Sequence, residues 1–67
     1  MGSKTNLGKA TPVRETDKAL LVLFEEDDEE HWIPKSVIDD DSECYSMESG
    51  AGDLIVATWW AEREGLE

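Results

Sequence analysis

Glu30-His31-Trp32-Ile33-Pro34-Lys35-Ser36-Val37-Ile38 is the run whose reading decides the fold. His31 to Ile33 has strand character, and Pro34, which lacks an N–H for a ladder, ends it. A tight 3₁₀ turn from Pro34 to Val37 then returns Val37 and Ile38 to the core. On the strand, His31 and Ile33 face one side and Trp32 the other. Trp32 is expected to be buried, sharing a layer with the strand before it and tying that strand to the C-terminal helix. His31 is the chain's single histidine. With no second ligand or base at a useful spacing, it reads as an ordinary strand residue.

Upstream of this run stand six consecutive carboxylates, Glu25, Glu26, Asp27, Asp28, Glu29 and Glu30, expected as a solvated hairpin connection whose repulsion discourages pairing with another chain. Before them, Ala19-Leu20-Leu21-Val22-Leu23-Phe24 is an apolar run of strand length with no helical period. Leu20, Val22 and Phe24 share one face and Ala19, Leu21 and Leu23 the other, the mark of a central strand. The polar stretch 1–12 is expected as a flexible arm, because its composition cannot offset the entropy of ordering. Residues 13–67 then form one small domain.

Downstream, Asp39, Asp40, Asp41 and Glu43 make a second acidic turn around Ser42. Glu43 to Met47 alternates with period two and is expected as a short edge strand. Gly50 and Gly52 signal a turn, and Leu54 to Thr58 is a further strand. Thr58 is placed as the N-cap of a helix over Trp59–Glu64 that Gly65 ends, with Leu66 folding back. Trp59 and Trp60 lie about 100° apart on that helix, so one caps the core and the other lies at its rim, with Arg63 placed for a cation–π contact to Trp59.

The fold expected is α+β: a small antiparallel meander of three or four strands, curled toward an open barrel, with one short C-terminal helix. A chain of 67 residues holds one domain and removes only roughly 60 % of its unfolded surface from water. Its one cysteine, Cys44, excludes an internal disulfide, and beside so much negative charge it makes a poor nucleophile. No hydrolytic triad can be assembled, and no cofactor motif is present. The first acidic run lacks the glycine and distant bidentate glutamate of a calcium loop, and the second can chelate a divalent cation only if its loop folds alternate side chains inward. Neither an enzyme nor a metal or cofactor protein is expected.

Charge points elsewhere. Six Lys and Arg stand against seventeen Asp and Glu, a net of −11. Residues 1–18 carry four basic and two acidic side chains, which leaves −13 on residues 19–67. Such a body repels phosphate backbones, so direct nucleic-acid binding is disfavoured, while basic proteins are attracted. The expected partner-binding residues are the two acidic segments together with Trp59 and Trp60. A second expectation is an aromatic-surface module of small-barrel type that binds peptides or single strands; a homodimer is one further use of the aromatics. No apolar run reaches membrane-span length, and Met1-Gly2 is not followed by the Ser or Thr a myristoylation signal needs at Asn6, so a cytoplasmic protein is expected.

Two resemblances bear on this. Trp32-Ile33-Pro34-Lys35-Ser36-Val37-Ile38 resembles the strand, Pro-led 3₁₀ turn and return strand near the end of Src-homology type barrels, although here it lies mid-chain and that family's long first loop is missing. It implies small-barrel geometry alone. Arg14 to Leu21, Trp32 to Ser36, Trp59 to Glu62 and Gly65-Leu66 together are similar to small uncharacterised acidic proteins of tailed bacteriophages and prophages. That likeness implies an accessory protein in the host cytoplasm and carries no activity to any residue.

Overall fold

The computed structural model describes residues 3–66. Met1 and Gly2, part of the expected arm and the basis of the lipidation reading, lie outside them. Strands β1 (Lys4–Glu15), β2 (Ala19–Phe24), β3 (Glu29–Pro34) and β4 (Gly52–Ala57) form one sheet, with a 3₁₀ turn at Lys35–Val37 and helix α1 at Thr58–Glu64. All pairings are antiparallel and the order is β3-β2-β1-β4. Three hairpin-connected strands are thus joined by a fourth that returns beside the first, a Greek-key order. The α+β class, the antiparallel sheet and the single C-terminal helix are those the sequence implies.

β2 occupies the expected central place. Leu20, Val22 and Phe24 are buried, and across the ladder Leu20 pairs with Ile33, itself fully buried. The core is completed by Ala10, Val37, Cys44, Leu54, Val56, Trp60 and Ala61, with Leu7, Ile38, Ala57 and Leu66 packed on its margin.

The expected N-terminal arm is, from Lys4 onward, strand β1. Its composition is polar, but it is paired on both sides, with β2 through Ala10–Glu15 and with β4 through Lys4–Ala10. Backbone hydrogen bonds to two neighbours supply what its side chains lack. β1 serves both partners by breaking register twice, between Asn6 and Lys9 against β4 and between Pro12 and Arg14 against β2. At the first break Gly8 takes φ 91° and its N–H donates to Asn6 Oδ1 at 2.8 Å. Such breaks bend a strand and raise its twist, which curls the sheet.

The expected edge strand at Glu43–Met47 does not form. The inside-outside alternation is nevertheless correct, with Cys44 buried and Glu43, Tyr45 and Met47 exposed. Hydroxyls take the place of a ladder. Ser49 Oγ accepts from the N–H of Tyr45 at 3.1 Å and of Ser46 at 3.3 Å, and donates to Ser46 O at 2.8 Å.

α1 starts one residue earlier than expected. Ala57 holds the cap position with no side-chain hydrogen bond, and Thr58 Oγ instead meets Thr5 Oγ at 2.7 Å. The C-terminal end is as expected. Gly65 takes φ 71°, its N–H donates to Glu62 O and that of Leu66 to Ala61 O, the paired bonds of a Schellman ending.

Candidate functional site

The first acidic segment divides in two. Only Glu25–Asp28 form the connection between β2 and β3; Glu29 and Glu30 belong to β3 and pair with Phe24 and Leu23. Asp28 closes the turn in the left-handed region at φ 55°, and its N–H donates to Phe24 O at 2.8 Å. Aspartate tolerates that conformation better than most side chains. The one lysine at this turn is Lys9, whose Nζ lies 3.8 Å from Glu25 and whose carbonyl accepts from the Glu25 N–H at 3.3 Å.

Beside the turn lies a notch of about 90 Å³, lined by Leu7, Phe24, Glu26, Asp27, His31 and Leu66. Phe24 and His31 meet ring to ring at 5.2 Å with a 56° tilt. His31 Nε2 stands 3.5 Å from Glu29. The site is therefore a small hollow with Leu7, Phe24 and Leu66 on one part of its wall and His31 and two carboxylates on the rest. It can hold the methylene stem of a lysine or arginine while Glu26 and Asp27 meet the cationic head.

The second acidic segment is differently employed. Lys4 Nζ pairs with Asp41 and lies 3.6 Å from Asp39, and the Asp41 N–H donates to Asp39 Oδ2 at 3.0 Å. These carboxylates, the Asp41 hydrogen bond first, raise the Lys4 pKa above 10.5. Glu43 Oε1 accepts from the Asp53 N–H at 3.2 Å. Buried Ser42 donates through Oγ to Cys44 O at 2.8 Å and accepts from the Ile55 N–H at 3.0 Å. Of this segment's acids only Asp40 is without an ion pair or hydrogen bond among the described residues. Asp39, Asp41 and Glu43 fasten the loop rather than advertise charge.

Next to it, Lys35, Ile38, Asp39, Asp40 and Tyr45 line an open hollow of about 300 Å³. Lys35 is paired there with Glu15, and Glu15 also accepts from the Met47 N–H at 2.9 Å. The Lys35 contact, with the Met47 N–H second, holds the Glu15 carboxyl below its ordinary value of 4.5. Among the described residues no group of His, Cys, Asp and Glu is placed to hold a metal ion. Burial raises the Cys44 thiol pKa.

Trp59 and Trp60 divide between rim and core as expected, and Trp32 departs from expectation. Trp60 is buried at 7 % exposure and belongs to the core, which removes it from the partner-binding set; Trp59, at 56 %, is the rim residue. Trp32, expected inside, is 49 % exposed. It faces outward as the alternation requires, but among the described residues no element covers that face. It stands in a cross-strand row with Leu21 and Arg14, and Leu23 stands beside it opposite Glu30. Leu21 and Leu23, half-buried on the same face, are the sequence signal for an apolar outer surface here. Among the described residues no cation–π contact joins Trp59 to Arg63; Phe24 with His31 is the one aromatic contact.

No helix among the described residues is long and apolar enough to cross a membrane. Comparison with family models, with characterised proteins and with solved structures finds no match to this chain.

Proposed function

We propose that this chain is a non-enzymatic accessory protein, of the kind carried by phages and prophages and acting in the host cytoplasm, that binds a basic protein through its acidic surface. One observation carries the reading: among the described residues Glu26 and Asp27 have no cationic partner, and they share a notch with Leu7, Phe24 and Leu66. That pairing of apolar wall and free carboxylates suits the long side chain of a lysine or arginine. The Asp39–Glu43 segment contributes mainly Asp40, the remainder being tied to Lys4 and β4.

The test is binding of a lysine- and arginine-rich peptide at two salt concentrations, with Glu26→Gln/Asp27→Asn as the altered protein. Affinity should fall at least about tenfold from low to physiological salt and fall again in the variant. Affinity independent of salt, or equal in the variant, refutes the reading. A second reading, an aromatic surface for peptides or single strands, is favoured by the exposure of Trp32, Tyr45 and Trp59. These aromatics are dispersed over β3, the following loop and α1, so the acidic notch is preferred. Quenching of tryptophan emission by single-stranded nucleic acid, but not by a basic peptide, would reverse the preference.

A further inference from the structure

The two outer strands of the sheet end in opposite ways. Along β4, Ile38 bridges to Val56, the Asp39 N–H donates to Ile55 O at 2.8 Å, and the N–H groups of Glu43 and Cys44 donate to Asp53 O at 2.9 and 3.3 Å. That edge is closed by the chain itself. Along β3, no hydrogen bond outside its ladder with β2 reaches the backbone of Glu29–Ile33 among the described residues.

The direction of the β3 backbone groups follows from parity. In an antiparallel ladder, residues alternate between those that bond one neighbour and those that face away. Phe24 O accepts from Asp28, and Lys18 O accepts from Lys35, both on the β3 side; Ala19 O accepts from Thr16 on the other. Even-numbered residues of β2 therefore bond β3. Their partners there are Glu29, His31 and Ile33. Pro12 opposite Val22 and Pro34 opposite Ala19, neither with an N–H to give, sit where this scheme requires none. It follows that the N–H and C=O of Glu30 and Trp32 point outward, unpaired, along an open edge.

Both side chains lie on the outer face. A strand laid against this edge places one residue beside Glu30 and, two positions away on the same face, one beside Trp32. The first is best a lysine or arginine and the second an arginine or an apolar residue, which can pack on the indole. A second copy of this chain is disfavoured by the charge of −11 on each partner. Glu29 and Glu30 thus repel one class of strand and attract another.

We propose that β3 accepts an extended basic segment of another protein as a fifth strand, bonded through the backbone of Glu30 and Trp32. This rests on the reading that the partner is basic and adds how it is held. The experiment follows amide exchange by NMR in the intact chain, titrated with acetyl-Thr-Lys-Val-Arg-Thr-Lys-amide and with the same peptide N-methylated throughout, which keeps the charges and loses every main-chain donor. The unmodified peptide should slow exchange of the Glu30 and Trp32 amides at least about tenfold, and the methylated one should leave it unchanged. If both peptides bind equally, with shifts confined to Glu25–Asp28, strand addition is wrong and the acidic-surface reading stands. If neither peptide binds at low salt, both are wrong. If those amides slow with protein concentration alone, the edge belongs to a second copy, and the proposal is overturned.

Discussion

β4 and β3 are both outer strands of one sheet, yet one edge is sealed and the other bare. The loop that seals β4 uses acids, Asp39, Asp41 and Glu43, as fasteners, each with a hydrogen-bond donor or Lys4. The turn that leads into β3 leaves Glu26 and Asp27 without an ion pair or hydrogen-bond donor among the described residues, at the edge of a hollow. The same residue types thus do structural work at one edge and remain available at the other. Charge density alone does not locate a binding surface; the donors beside each carboxylate do.

The contrast can be broken from its sealed side. Trp60 lies on the helix that follows β4, and Trp60→Ala should cost about 3–5 kcal/mol, enough to unfold so small a domain, as read by chemical denaturation. Gly52→Ala should cost about 1–3 kcal/mol, because an added Cβ would stand 2.6 Å from Glu43 Cβ and push the sealing loop away from β4. Ser42→Ala should cost a similar amount, about 1–3 kcal/mol, by leaving the Ile55 N–H without its acceptor. Exchange of the Ile55 amide should rise with it.

On the bare side the effects should be smaller. Trp32→Ala should fold and lose about 1 kcal/mol, since half of the indole already meets water. A loss as large as that for Trp60→Ala would mean the outer face is covered in solution. The smallest effect concerns pH. A carboxyl whose folded pKa is lowered stabilises above its ordinary value and stops doing so as pH falls through the lowered one. Glu15 therefore contributes above about pH 4.5, and Lys4, raised, contributes below about 10.5 and ceases to as pH climbs through its raised value. Both groups are solvent-exposed pairs, so Glu15→Gln should flatten the acid limb of the melting profile only slightly, and less in high salt.

These contrasts also mark what a sequence can convey. β2, β3, the 3₁₀ turn, β4 and α1 were legible because each has a period or a stop signal: the apolar run at Ala19–Phe24, Pro34, and Gly65. β1 was not, because Lys4–Pro12 has almost no apolar side chains and is held by its backbone between two neighbours. The stretch Glu43–Met47 misled for a related reason. Its alternation is genuine, but Ser49 replaces the partner strand. For Trp32 the pattern gave the face and could not give the cover. The acidic segments were legible as charge, and their separate uses were not, since Lys4 and Asp53 meet the second one only through the fold.

The pairing of β1 with β4 joins Lys4 to Ala57, and the Thr58 N–H donates to Ser3 O at 2.9 Å. The first and the last strand are therefore neighbours in the sheet. The β2–β3 hairpin is local and can form early, whereas this closure brings together the two strands farthest apart in sequence and must wait for them. During synthesis the first strand leaves the ribosome long before its partner exists. For that interval β1 has an unpaired edge of its own, and its lysines are not yet joined to the carboxylates of the later loops. Until β4 is made, β1 is a basic strand with one edge open.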